Sequence, residues 1–221
     1  MKVTKLLALL LLAVSFVLTV NAAPATAGDE VRAAGINLRG SYWNIRNVPT
    51  KVKVNEYGSD SYVSTGGGGA WLTFFSRVND NLFLELSFGA AAAVEEHSSS
   101  WFEENVDVAA VTPIVLGLRH NLLSPRSQSA LQPYVSFGGG PYWVSDIVAV
   151  DNNFEEEVSI DTELFRGGYA GGGFNFMVTN WFGINMDMKY HFIDFNVNHE
   201  LSGPEYGFGV TFMWGKYSLS N

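Results

Sequence analysis

One pattern limits this chain more than any other: apolar side chains return at every second position, in segment after segment. From Trp181 to Asp194, residues Phe182, Ile184, Met186, Met188, Tyr190 and Phe192 share one parity, while Trp181, Gly183, Asn185, Asp187, Lys189, His191 and Ile193 share the other. Tyr206, Phe208, Val210, Phe212 and Trp214 repeat the pattern against Gly207, Gly209, Thr211, Met213 and Gly215. Leu82, Leu84, Leu86, Phe88 and Ala90 do so against Phe83, Glu85, Ser87, Gly89 and Ala91. A strand places successive side chains on opposite faces, so a period of two is the signature of a two-faced strand. Shorter copies centre near residues 40, 71, 115, 137 and 172, which with those near 87, 187 and 210 makes eight expected strands.

A helical solution is excluded for the body of the chain. The run Val106–Leu118 is broken by Asp107, Thr112 and Pro113, and no later stretch approaches the roughly 18 apolar residues of a spanning helix. The first residues read as an address. Lys2 and Lys5 precede the apolar stretch Leu6 to Val20, and small residues follow at Val20-Asn21-Ala22 and Ala25-Thr26-Ala27. This is the layout of a secretory signal peptide, with cleavage expected after Ala22 or, alternatively, after Ala27. Residues 1–22 are therefore expected to be removed, leaving a single domain over 23–221.

Composition separates the architectures that alternating strands allow. Charged residues make up 16% of the 221, with 23 glycines, 14% aromatics and no cysteine. The missing cysteines exclude a disulfide scaffold and a thiolate metal site, and a net charge of -9 argues against a nucleic-acid partner. A soluble sheet presents a charged face to water. Here the face opposite the large apolar residues is mostly Gly, Ser, Asn and Thr. Aromatics stand near strand ends on the bulky face, at Tyr42, Phe74, Tyr190, Phe192, Tyr206 and Trp214. Apolar outward, small or polar inward, with aromatic girdles, describes a membrane barrel. Connection lengths agree. Asn79-Asp80-Asn81, Ser124–Ser129 and Thr179-Asn180 are short, whereas about Asn47 to Ser61, Glu95 to Val106, Asp146 to Glu163 and Asp194 to Pro204 are expected as long loops. This alternation fits an even strand number with both termini on the short-turn side. The expected fold is all-β, an eight-stranded antiparallel up-and-down transmembrane barrel.

At this point the chain resembles the small eight-stranded outer-membrane barrels of the OmpA, OmpX and OmpW kind. The resemblance rests on Ala70-Trp71-Leu72-Thr73-Phe74-Phe75, on Leu131-Gln132-Pro133-Tyr134-Val135 with Gly138-Gly139-Gly140, and on Thr179-Asn180-Trp181-Phe182-Gly183-Ile184. The final strand, Tyr206 to Trp214, resembles the terminal signal read by the barrel-assembly machinery, although this chain continues to Asn221. The resemblance implies a bacterial outer-membrane protein that contacts lipid and lipopolysaccharide and engages the assembly machinery during biogenesis. The expected state is a monomer. The implied role is structural or surface-interacting, or that of a narrow conduit for small molecules, hydrophobic ones included.

Parity assigns the sites. Arg39, Glu85, Arg119, Asp187 and Lys189 are expected to face inward as a network of mixed sign, since isolated charges in a narrow interior are costly. Trp71, Phe75 and Phe83 share the inward parity, and a conduit for hydrophobic molecules would want them in the outer part of the lumen. Leu84, Leu86, Phe88, Phe182, Ile184, Met186, Met188, Phe208, Val210 and Phe212 are expected to face lipid. His191 is expected to hydrogen-bond in the lumen. The acids from Asp146 to Glu163 read as a solvated loop, and no metal or other cofactor is expected. An alternative, a lipid A-modifying acyl hydrolase, would need a nucleophile and a base in reach of each other. Glu95, His97 and Ser99 share one parity, but Ser98, Ser99 and Ser100 look like ordinary loop residues, a His–Ser pair two apart is common by chance, and no enzyme activity is expected.

Overall fold

The computed structural model describes residues 30–44, 67–100, 103–125, 129–152, 155–193 and 202–219; in 93–100, 103–109, 146–152 and 155–160 the backbone alone is described. Two short strands, β1 (Glu30–Val31) and β10 (Tyr217–Ser218), flank eight long ones. These are β2 (Ala34–Trp43), β3 (Gly67–Arg77), β4 (Leu82–Ser100), β5 (Glu103–Asn121), β6 (Leu131–Asn152), β7 (Glu155–Met177), β8 (Phe182–Ile193) and β9 (Gly203–Trp214). Each of the eight pairs antiparallel with its sequence neighbour, and β9 returns to β2 in register from Ala34↔Trp214 to Trp43↔Glu205. The barrel is closed. Closure leaves no sheet edge, so every barrel strand has a hydrogen-bonded neighbour on both sides, the condition for crossing hydrocarbon.

The short turns are built by local side chains. Asn79 Oδ1 accepts from the backbone N–H of Asn81 (3.1 Å) and of Leu82 (2.9 Å). Thr179 Oγ1 does the same for Trp181 (3.3 Å) and Phe182 (3.0 Å). An Asx-type or Ser/Thr-type turn of this kind satisfies donors that the ladder leaves behind. Trp181, assigned by parity to the inward face, instead lies in its turn, exposed, with its ring stacked on Phe212 at 6.2 Å. The alternation holds only once a residue has entered the ladder.

At the opposite end two of the expected loops are strand. β4 and β5 stay paired up to Ser100↔Glu103, and β6 and β7 up to Asn152↔Glu155. The β5–β6 ladder continues to Glu104↔Asp151. The β3–β4 ladder ends at Gly68↔Ala92 and the β7–β8 ladder at Gly167↔Ile193. The four middle strands thus continue as one sheet beyond the level of their neighbours. The acids between Asp146 and Glu163 suggested a loop, but Ile147, Val148, Val150, Val158 and Ile160 stand among them, and such β-branched residues favour extended pairing. The segment Asn47 to Ser61 and most of Asp194 to Pro204 lie outside the described residues.

Pro113 marks an irregularity in mid-barrel. The β4–β5 pairing skips from Phe88↔Ile114 to Ala91↔Val111, as expected where a residue has no N–H to give the ladder. Opposite it, a Cβ at Gly140 would collide with the Ile114 carbonyl, so the strands approach here as only glycine allows.

After Trp214 the chain reverses at Gly215, whose φ is 71°, and β10 pairs with β1 across the short-turn end. A left-handed conformation costs an L-residue about 1–2 kcal/mol. Gly215→Ala is therefore expected to loosen this ribbon by about that amount, read as faster amide exchange at 216–218 with barrel amides unchanged.

Candidate functional site: a filled lumen

Among the described residues, buried side chains fill the inward face from the Phe75–Phe83 cluster to the level of Trp43. Nearest the short turns, Phe75, Phe83 and Met213 form a buried cluster with Met177 packed on it. Arg119 caps this cluster, its guanidinium 4.2 Å from the Phe75 ring centre and 4.6 Å from that of Phe83, with Nη1 3.2 Å from Glu85 Oε1. Tyr169 Oη donates to Glu85 Oε2 at 3.5 Å.

A neutral polar layer lies alongside. Asn37 Nδ2 donates to Thr211 Oγ1 (3.0 Å), and Thr211 donates to Asn175 Oδ1 (3.2 Å). Asn185 Nδ2 donates to Asn175 Oδ1 and to Tyr134 Oη, each at 2.9 Å. Tyr134 Oη in turn donates to Asp187 Oδ2 at 3.3 Å.

The centre is ionic. Arg39 donates to Asp187 through Nη1 and to Glu205 Oε2 through Nη2, the latter at 2.7 Å. Lys189 Nζ lies 4.0 Å from Asp187 Oδ2, and 4.6 Å and 5.6 Å from the ring centres of Tyr169 and Trp71. Glu205 is fully buried and receives three side-chain donors: Arg39, the Trp71 indole N–H, and His191 Nε2 at 3.0 Å. Tyr142 Oη is 3.1 Å from His191 Nδ1. A ring that donates from Nε2 and accepts at Nδ1 satisfies both partners. Above it, Trp43 lies over His191 with centroids 4.2 Å apart, and Tyr142, Val111, Val115, Val144 and Ile193 complete an apolar lid.

The five inward charges expected from parity, Arg39, Glu85, Arg119, Asp187 and Lys189, are thus all inside and all paired. Glu205 was missed. It shares the parity of Gly207 and Gly209, but it precedes the apolar residues that announce β9, beside Pro204 at the presumed loop end. Tyr142 and Tyr169 were missed because glycines and a proline obscure the alternation around them. Trp71, Phe75 and Phe83 do face inward, but Phe75 and Phe83 sit at the short-turn end. The apolar part of the opposite end is made by Trp43, Tyr142, Val111, Val144 and Ile193. Among the residues expected outward, Met186, Met188 and Phe208 are well exposed, Phe208 at 58%. Leu84, Phe88, Phe182, Ile184, Val210 and Phe212 are partly exposed. Leu86 is covered, at 6%, in register between Phe74 and Leu116. Glu95, His97 and Ser99 lie on β4, where the backbone alone is described.

The Glu85–Arg119 pair makes a clean test of the network. In a double-mutant cycle with Glu85→Gln and Arg119→Met, a coupling of about 1–3 kcal/mol is expected from equilibrium unfolding in detergent, because both groups are withdrawn from water.

A closed antiparallel barrel of eight strands, with exposed apolar side chains outside and a polar, filled interior, defines a transmembrane β-barrel. The chain belongs to the outer membrane protein beta-barrel domain family, whose model matches residues 10–214. Among solved structures it is similar to the outer membrane protein OprG from Pseudomonas aeruginosa, at 14% identity and a TM-score of 0.54, covering 86% of this chain and 98% of that one. It is also similar to the N-terminal β-barrel domain of Pseudomonas aeruginosa OprF, at 14% identity and a TM-score of 0.48, covering 84% and 100%. A third is Ail, the attachment invasion locus protein of Yersinia pestis, solved with the heparin analogue sucrose octasulfate, at 14% identity and a TM-score of 0.47, covering 84% and 98%. No curated protein sequence matches the chain. The family places the protein in the bacterial outer membrane.

Proposed function

We propose that this protein is a closed anchor, acting at the cell surface and not through its lumen. The observation that supports this reading is the continuous filling of the interior, from the Phe75–Phe83 cluster through the Arg39–Glu205 layer to the lid at Trp43. An eight-stranded barrel has an interior about as wide as its own side chains require. A solute would have to displace paired charges as well as rings.

In this reading the short turns face the periplasm and the extended β4–β7 sheet faces outward, following the usual loop asymmetry of such barrels. The outward row of Phe182, Ile184, Met186, Met188, Phe208, Val210 and Phe212 meets hydrocarbon. Tyr42, Tyr206 and Tyr190 at one level, and Trp181 and Trp214 at the other, sit in the two interfaces with lipid and lipopolysaccharide. The terminal strand β9, which closes the barrel on β2, serves as the segment engaged by the assembly machinery. The extended sheet supplies the surface-interacting part.

The test is reconstitution of the mature protein in planar bilayers. No discrete conductance steps are expected. Stable steps that change with Arg119→Met or Glu85→Gln would replace the anchor by a conduit. Deleting 146–163 is expected to leave the barrel folded and to remove whatever surface binding the cells show.

A further inference from the structure

We propose that the outer edge of β7, over residues 155–162, is a docking site for an extended basic segment of another protein, which adds to the β4–β7 sheet as a further strand. This rests on the reading that the extended sheet is the part that meets partners at the cell surface.

The edge follows from the ladders. β7 is paired with β6 from Glu155 to Phe176. Its pairing with β8 begins only at Gly167. Among the described residues no strand lies on that side of 155–166, so every second residue there turns its backbone N–H and C=O to an open edge. The connection from β8 to β9 is too short to cover it. Its ends are tied together at the level of Gly167, since the Ile193 N–H donates to Ser202 Oγ at 3.1 Å. The eight residues between them, 194–201, reach at most about 14 Å as a doubled chain. Thr162, five residues along β7 from Gly167, stands about 17 Å away. The connection 45–66 joins β2 to β3, and β3 leads to β4 and the opposite edge of the sheet.

Charge selects the occupant. The strand reads Glu155-Glu156-Glu157-Val158-Ser159-Ile160-Asp161-Thr162-Glu163, and no Lys or Arg stands between Arg126 and Arg166. The register sets further acids beside these. Asp151 is directly opposite Glu156, Asp146 is opposite Asp161, and Glu104 of β5 extends the first row. Like charges directly opposite one another weaken a sheet. A second copy of this chain would bring the same acids against this edge, so the edge repels its own kind. A strand bearing Lys or Arg is attracted instead. Glu155, Glu157, Asp161 and Glu163 share one parity, and Val158, Ile160 and Leu164 the other. The fitting partner therefore alternates basic and apolar residues. Main-chain hydrogen bonds would supply its affinity, and alternate side chains its selectivity.

The experiment uses the mature chain in uncharged detergent micelles, with amide exchange followed by NMR. Three capped octapeptides are the probes: alternating Lys and Val, alternating Glu and Val, and alternating Lys and Pro. Without peptide, every second amide of 156–162 is expected to exchange fast, while the amides between them, bonded to β6, exchange slowly. The Lys–Val peptide is expected to slow the fast set saturably, and the Glu–Val peptide to leave it unchanged. The Lys–Pro peptide carries the same charge, but its prolines have no N–H for a ladder, and it too is expected to have no effect. Glu157→Lys combined with Asp161→Lys is expected to weaken Lys–Val binding about tenfold, the loss of two cross-strand ion pairs. The same variant is expected to bind Glu–Val, with unaltered barrel amides as the check on folding. Uniformly slow amides at 156–162 before any peptide is added would mean that the chain covers its own edge, and would overturn the proposal. So would equal protection by Lys–Pro, no protection by Lys–Val, or a charge swap without effect. Conductance is independent of this readout. A silent barrel whose edge takes no peptide sinks the docking site and leaves the anchor; a conducting barrel whose edge takes it sinks the anchor alone.

Discussion

Glu205→Gln is expected to destabilise the barrel by about 3–5 kcal/mol, the usual cost of breaking a buried ion pair from one side. Glu205 has no contact with water and takes hydrogen bonds from Arg39, Trp71 and His191. The amide keeps the shape, but it removes the charge that Arg39 and its neighbour Lys189 both face. It also replaces one acceptor oxygen with an NH2 that meets donors on every side. Equilibrium unfolding in detergent would measure the loss. A change below about 1 kcal/mol would mean that Asp187 alone compensates Arg39, and the shared carboxylate would lose its central place. Because β9 pairs with β2 only at closure, the same substitution is expected to slow folding more than it speeds unfolding if the Arg39–Glu205 contact helps to close the ring.

The second large effect belongs to the lid. Trp43→Ala removes a fully buried ring that packs on His191 and lies edge-on to Tyr142 at 6.4 Å. Truncation of a buried aromatic costs about 3–5 kcal/mol. The barrel is nonetheless expected to stay electrically silent in planar bilayers, since the layer of Arg39, Asp187, Glu205 and Lys189 remains beneath the vacated space. Conductance appearing in Trp43→Ala alone would show that the lid is the only barrier, and would move the protein from anchor to gated conduit. The two readouts are separable, because stability reports the packing of one level and conductance the continuity of all of them.

How much of this was readable without coordinates follows from the physics of strands. In a sheet the side-chain period is two, so the direction of every residue in a ladder is set once one face is known. That is why Arg39, Glu85, Arg119, Asp187 and Lys189 could be assigned inward, and Met186, Met188 and Phe208 outward. The same rule fails where the ladder stops, as at Trp181, and is hard to apply where small residues hide the alternation, as around Tyr142 and Tyr169. Leu86 shows a further limit: parity gives direction, not exposure.

The alternating pattern of apolar and small residues by itself determined the eight barrel strands and their outward-pointing row, because each is a property of a single strand. Only the closed structure decided who meets whom across the lumen. Arg39 and Glu205 are far apart in the chain and on neighbouring strands solely because β9 closes on β2, and the lid and the floor arise from residues that different strands bring to one level. The extent of the β4–β7 sheet was likewise a tertiary outcome. Cross-strand register carried it through an acidic stretch whose composition, taken alone, reads as loop.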